Sequence, residues 1–103
     1  MRFLLKCCVP MDKGNELARD GTLGQRVRAI LEEIKPETAY FTTVDGRRGG
    51  YIVVDIDDPS QIPAIAEPLF LGLGATVEVY PVMTPEDPAK GAPGIERAVQ
   101  RFG

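Results

Sequence analysis

The chain has 103 residues, of which 44% are apolar and 26% are charged, and this composition is that of an ordinary globular protein. It excludes a disordered, collagen-like or coiled-coil chain, and the length leaves room for one domain. A net charge of −3 disfavours the attraction to phosphate on which nucleic-acid binding depends. No apolar run approaches the roughly 20 residues that span a bilayer, and the N-terminal apolar stretch is too short for a signal peptide. We therefore expect a cytoplasmic protein with neither a nucleic-acid nor a membrane partner.

The absent residue types narrow the chemistry further, since the sequence contains neither histidine nor tryptophan. Without histidine, the commonest general base and zinc ligand is missing, and no Ser-His-Asp or Cys-His arrangement can form. Cys7 and Cys8 are adjacent in a predicted strand, where neighbouring side chains point to opposite faces, so we expect packed thiols and no disulfide. Asp57 and Asp58 fit a turn and a helix start better than a cation site. We expect no metal and no cofactor.

The first half of the chain predicts one strand and one helix. Residues 2–9 alternate in hydrophobicity as a half-buried strand does. Apolar residues then recur at helical spacing, and Thr22 followed by Gln25 is typical of a capping box, which predicts a helix over residues 22–35. Pro36 is expected to end this helix.

The second half predicts two strands, a helix and a last strand. Residues 38–44 and 50–56 are rich in β-branched and aromatic side chains and are predicted to form a hairpin, with residues 45–49 as its loop. A helix should follow, although Pro68 is expected to shorten or break it. Residues 75–82 alternate cleanly and predict the fourth strand.

The element order β-α-β-β-α-β is that of the split-βαβ, or ferredoxin-like, arrangement. This α+β fold has a four-stranded antiparallel sheet with two helices on one face. We assign it to residues 1–83 and expect residues 84–103 to form a C-terminal extension. Apolar residues at helical spacing, from Ile95 to Phe102, predict a short helix there that needs a surface to pack on.

Strand alternation divides the side chains between the covered and the uncovered face of the sheet. If Phe3 and Leu5 face the helices, the uncovered face receives a group of polar and aromatic residues: Lys6, Tyr40, Tyr51, Asp55, Glu78 and Tyr80. Leu4 and Val53 lie among them, which makes this face too apolar to stay bare. We therefore predict a homodimer, or a higher homo-oligomer, in which two such faces enclose a partly polar interior.

Residues 51–82 carry a resemblance to a known family. A strand ending in Asp55, the sequence Pro68-Leu69-Phe70, and Glu78-Val79 shortly before Pro81 are similar to the second half of muconolactone isomerases. With its element order, the chain resembles the dimeric α/β barrel superfamily of small ferredoxin-like proteins. This resemblance implies a dimeric α/β barrel.

Two interpretations of the charged residues remain open. Lys6 and Glu78 lie on neighbouring strands and can form an ion pair that satisfies two partly buried charges. Alternatively, Glu78 or Asp55 is a general base, with Lys6 or a tyrosine stabilising an enolate or a carboxylate. In that case Tyr40, Tyr51 and Tyr80 would contact the ligand. Arg47 would either be solvated at the hairpin tip or meet an anionic ligand at the mouth of a cavity.

These observations predict a small-molecule-binding protein of the dimeric α/β barrel type. Its ligand would be a small anionic or phenolic compound held in the dimer interior. Isomerase-like chemistry, or that of a cofactor-free monooxygenase, is one hypothesis for such a site. The alternative is a non-catalytic module for dimerisation or ligand sensing.

Overall fold

The computed structural model describes all residues from 1 to 103 and contains one four-stranded antiparallel sheet. The strands are β1 (Arg2–Cys8), β2 (Thr38–Val44), β3 (Arg47–Asp55) and β4 (Thr76–Pro81). The helices are α1 (Met11–Arg19), α2 (Leu23–Ile34), α3 (Ile62–Leu73), α4 (Asp87–Lys90) and α5 (Ala92–Phe102), with a 3₁₀ turn at Pro59–Gln61. The sheet order β2-β3-β1-β4 confirms the predicted ferredoxin-like α+β fold. None of the helices is long and apolar enough to cross a membrane.

The hydrophobic core lies between one face of the sheet and the helices α2 and α3. Leu5 of β1 and Ile52 of β3 are buried at its centre, and they contact a cluster that includes Ile30 of α2 and Leu69 of α3. Val77 and Val79 of β4 pack against the same cluster. The division of strand residues between two faces, predicted from alternation, is thus confirmed for these residues.

The segment between β1 and β2 holds two helices instead of the one that was predicted. Gly14 and Asn15 are typical of a loop, whereas Leu17 and Ala18 indicate an earlier helical turn. Leu17 is buried in the core and holds α1 on the sheet. The predicted capping box at Thr22 is wrong, because no side-chain capping bond is present at the start of α2. The Thr22 hydroxyl instead donates a hydrogen bond to the Asp20 carboxylate just before it.

The β2–β3 hairpin is tighter than predicted. Asp45 and Gly46 have φ angles of 52° and 77°, which makes them a two-residue turn of the type that matches the twist of paired strands. Arg47 pairs with Val44 as the first residue of β3. The turn predicted at Asp45-Gly46 is confirmed, whereas the predicted extension of the loop over residues 47–49 is wrong, because these residues belong to β3.

Helix α3 continues through Pro68 without a break, contrary to the prediction. A proline removes the hydrogen bond to the carbonyl four residues earlier, here that of Ala64. Ala64 is exposed, so water can satisfy this carbonyl. Leu69 and Leu73 follow the proline in α3 and are buried, and their packing on the sheet offsets the lost hydrogen bond.

Candidate functional site

The uncovered sheet face carries a row of four side chains that cross all four strands. Tyr40 of β2 pairs with Tyr51 of β3, Tyr51 pairs with Lys6 of β1, and Lys6 pairs with Glu78 of β4. We call these residues the polar row. Directly paired residues lie about 4.5 to 5.5 Å apart at their Cβ atoms, so the register brings these four predicted site residues together.

Lys6 is the charged centre of the polar row. Its ammonium lies 3.2 Å from a carboxylate oxygen of Asp45 and 3.6 Å from one of Glu78. Hydrogen bonding to Asp45 and, less strongly, the charge of Glu78 raise the pKa of Lys6. Sequence reasoning missed Asp45, because only the tight hairpin turn carries its side chain back over the sheet. Tyr80 lies one row further along β4, and hydrogen bonding to Glu78 raises its pKa.

Two other predicted site residues lie away from this cluster. Asp55 is at the end of β3, where the α-ammonium of Met1 donates a 2.8 Å hydrogen bond to its carboxylate. This bond and the positive charge of the ammonium hold the pKa of Asp55 below its ordinary value. Arg47 is exposed at the start of β3. The structure does not bring either residue to the Lys6 ammonium.

A cavity of about 340 Å³ lies on the opposite, helix-covered side of the sheet. Ten of its fifteen lining residues are hydrophobic, and they come from α2, α3 and the first three strands. The lining consists of Cys7, Val9, Leu23, Gly24, Val27, Ile30, Leu31, Phe41, Thr42, Arg48, Gly49, Gly50, Ile52, Leu69 and Leu73. Sequence reasoning did not anticipate this cavity.

The register of the sheet explains why this space is not filled. Phe41, Gly50, Cys7 and Val77 are successive partners in one row across the covered face. Gly50 has no side chain and Cys7 has a small one, so neither reaches the α2 side chains above. Phe41 is 58% exposed and stands at the edge strand, at the rim of the cavity. Burial, reinforced by neighbouring Cys8, raises the pKa of the Cys7 thiol to about 11, so it is neutral near pH 7.

Arg48 supplies the one charged group in the cavity lining. Its Nη1 donates a 2.9 Å hydrogen bond to the side-chain oxygen of Asn15 in α1. A Cβ on Gly14 would come within 2.9 Å of the same Nη1, so glycine there lets the arginine lie against the helix. No carboxylate lies within ion-pairing distance of Arg48, so its charge is available to an anion. Had β3 been predicted to begin at residue 47, strand alternation would have placed the Arg48 side chain on the covered face, with Gly50 and Ile52.

The two regions offer different chemistry. The polar row, with Asp45 and Tyr80 beside it, holds groups that can exchange protons or pair charges. These groups are an ammonium, carboxylates and phenols. The cavity holds an apolar surface with one guanidinium and one neutral thiol. No group of three or more His, Cys, Asp or Glu side chains is placed to hold a metal ion.

The sheet order, with both long helices on one face, defines a ferredoxin-like fold, and a comparison with solved structures agrees. The chain is similar to TftG, the 5-chloro-2-hydroxyhydroquinone dehydrochlorinase of Burkholderia phenoliruptrix AC1100, solved in complex with 2,5-dihydroxybenzoquinone. The TM-score is 0.58 and the identity 17%, over 84% of this chain and 98% of the other. This likeness extends to the fold of the chain alone. No protein-family model and no curated protein matches the sequence.

Proposed function

We propose that this protein binds a small, mostly apolar organic molecule with one anionic group in the helix-side cavity. The observation that carries the proposal is the cavity itself, which one chain forms from its own core elements. Its volume of about 340 Å³ falls in the range of ligand pockets, roughly 300 to 1,000 Å³. An aromatic ring or short carbon skeleton would replace water against the apolar walls.

Arg48 sets the expected charge of the ligand. A guanidinium without a carboxylate partner at the rim of an apolar cavity favours an anion. It can bind a carboxylate through two parallel hydrogen bonds, or a phenolate through its single oxygen. The ligand in the TftG complex, 2,5-dihydroxybenzoquinone, is a small oxygenated ring. This agrees with an anionic or phenolic ligand for the present chain, although the sequence predicted its site between two sheets.

The proposal includes a homodimer formed through the uncovered sheet faces. Leu4, Tyr51 and Val53 are partly buried in the single chain and Tyr80 is 44% exposed, so apolar surface remains to be covered. Facing sheets would bury the polar row, and Lys6 would then neutralise part of the acidic charge from Asp45 and Glu78.

An isomerase-like enzyme is the second candidate, and the polar row is the observation that favours it. Between two sheets, Glu78 could take a proton from a carbon beside a carbonyl group, with Lys6 or Tyr80 stabilising the resulting enolate. This is the muconolactone isomerase-like hypothesis, and a cofactor-free monooxygenase is its variant. Because Lys6 already has two carboxylate partners, the polar row equally suits a non-catalytic dimerisation or ligand-sensing module.

A pair of probes of equal size tests the primary proposal. We expect isothermal titration calorimetry to detect binding of 2-naphthoate, and weaker binding of uncharged 2-naphthol. Arg48→Met should weaken naphthoate binding about tenfold or more, the cost of a charge-assisted hydrogen bond, and change naphthol binding less than about twofold. Arg47→Met is the matched control, since this neighbouring arginine does not line the cavity.

Filling the cavity provides the second arm. Val27→Phe places a larger side chain in the space between α2 and the sheet, so neither probe should bind while circular dichroism shows an intact fold. Naphthoate binding that survives both Arg48→Met and Val27→Phe would refute the helix-side site. Loss of binding or turnover in Glu78→Gln, with Arg48→Met unaffected, would favour the enzyme between the sheets.

A further inference from the structure

Helix α5 has no packing partner in its own chain. Residues 93–103 are all exposed, and Ile95, Val99 and Phe102 are exposed by 62, 62 and 80%. The radius of gyration is 17.4 Å, against about 13 Å expected for a compact chain of this length, and the longest dimension is 60 Å. An isolated helix of 11 residues is marginal in water, so α5 needs a surface that receives its apolar stripe.

A groove between α2 and α3 has the properties of such a surface. It lies on the outer side of the helix layer, away from the sheet, and is open along its length. Its lining is Arg26, Ala29, Ile30, Glu33, Pro68, Leu71 and Gly72. Ala29 and Gly72 are small enough to let a helix approach closely, and Leu71 is left 79% exposed by its own chain.

We propose that α5 of one copy of this chain packs into the α2–α3 groove of a second copy. Two charged residues, Arg26 and Glu33, line the groove. Arg26 lies at the start of α2 and donates a 3.1 Å hydrogen bond to the Gly72 carbonyl at the end of α3, so these helices run antiparallel. Glu67 of α3 is exposed beside the groove lining, five residues before Gly72 and about 7.5 Å back along the helix axis.

The charges beside the stripe of α5 have the same spacing. Glu96 and Arg101 are five residues, or about 7.5 Å, apart, and at 100° per residue they flank the stripe on opposite sides. The β1–α2–β2 crossover has the usual right hand, which places α2 and α3 on defined sides of the groove. When α5 runs parallel to α2 in this arrangement, Glu96 faces α2 and Arg101 faces α3. Glu96 then meets Arg26, and Arg101 meets Glu67. The reversed direction would bring Glu96 towards Glu67 and Arg101 towards Arg26.

A second copy is the occupant that this geometry favours. Residues 84–103, which we call the arm, follow β4 and carry α5. Leu71 is 79% exposed, so the arm does not cover the groove of its own chain. When two sheets pack face to face about a two-fold axis that runs along the strands, the β4 edge of one copy lies beside the β2 edge of the other. From there, the arm reaches the partner's helix layer. Two copies can exchange arms reciprocally, which closes the assembly as a dimer.

Cysteine cross-linking between two singly substituted full-length chains tests the proposal directly. Arg26→Cys protein mixed with Glu96→Cys protein should give a disulfide-linked dimer on a non-reducing gel, because these positions face each other across the proposed contact. Arg26→Cys mixed with Arg97→Cys is the matched control, since residue 97 lies on the side of α5 away from the stripe. The native Cys7 and Cys8 are buried and do not compete.

Charge reversal tests the direction of the helix by sedimentation. Arg101→Glu and Glu67→Arg should each raise the dissociation constant of the dimer about fivefold, and the double variant should return it to within about twofold of the native value. The proposal is overturned if the control mixture cross-links equally well or if no cross-linking occurs. It is also overturned if the double variant dimerises more weakly than both single variants. None of these results depends on ligand binding in the helix-side cavity.

Discussion

The two faces of the sheet differ in both cover and chemistry. The face that α2 and α3 cover is almost wholly apolar, and it leaves a cavity where Gly50 and Cys7 face the helix layer. The uncovered face has no helix on it and carries the charges and all three tyrosines of the chain. One strand serves both faces, because Leu5 points into the core and Lys6 points away from it. The cavity and the charged cluster around Lys6 therefore lie on opposite sides of one backbone layer.

This separation has a consequence for function. A ligand in the cavity meets one guanidinium and no carboxylate, so a single chain can bind and orient an anion there. Proton transfer by Glu78 would need a second ligand space that only dimerisation can create. Substitutions of neighbouring strand residues that point in opposite directions separate the contributions of the two faces.

The largest effect is expected for Leu5→Ala. Leu5 is only 1% exposed, and truncating a buried leucine costs about 2 to 5 kcal/mol of unfolding free energy, independent of protein concentration. Leu4→Ala, on the other face of β1, should change stability mainly through dimer dissociation, so its effect should grow on dilution. Urea denaturation at two protein concentrations checks both variants, and equal behaviour would remove the distinction between the faces.

Cys7 should make the covered face sensitive to alkaline pH. Its pKa is raised from 9.0 to about 11 in the folded chain, so the folded state holds this proton more tightly than the unfolded state does. The resulting stability is present below pH 9 and is lost as the pH rises towards 11. The stability difference between the native chain and Cys7→Ala should shrink by about 2 to 3 kcal/mol over that range. Val79→Ala, which removes no ionisable group, should show a constant difference in the same titration.

A smaller effect is expected for Lys6→Met on the uncovered face. The substitution leaves Asp45 and Glu78 without their shared cation, and facing sheets would bring two copies of this acidic pair together. We expect the dimer dissociation constant to rise several-fold and naphthoate binding to stay unchanged. Sedimentation and calorimetry on the same sample check both, and a loss of naphthoate binding would mean that the two faces are not independent.

The smallest effect is expected for Asp55→Asn. Its ion pair with the N-terminus is exposed, and such pairs contribute little to stability. We expect the melting temperature at neutral pH to change by no more than about 2 °C. Because the pKa of Asp55 is lowered in the folded chain, the small contribution should disappear as the pH falls through that pKa. A large change in melting temperature or in any turnover would restore Asp55 to the functional site.

Strand alternation was enough to assign the two faces, because it depends only on local backbone geometry. It placed Lys6, Tyr51 and Glu78 on one side without any knowledge of the register. The hairpin was harder, since Arg47-Arg48-Gly49-Gly50 has the composition of a loop, and only pairing with β2 makes it a strand. Treating Arg48 as part of a loop concealed its position in the cavity.

The cavity and the partner of Asp55 could not be derived from local patterns. The cavity depends on two small residues from separate strands, Gly50 and Cys7, coming into register beneath α2. The partner of Asp55 is the chain terminus, 54 residues away in sequence, which the β1–β3 register brings beside it. Both are long-range consequences of strand pairing.

Methyl NMR of the full chain titrated with 2-naphthoate tests the central claim most directly. It reports on both faces at once, through Val27, Ile30 and Leu69 on the cavity side and Leu4 and Val53 on the uncovered side. We predict saturable shifts in the first group, which need about tenfold more naphthoate in Arg48→Met, and no shifts in the second. Shifts confined to Leu4 and Val53 would contradict the account and place the ligand between the sheets.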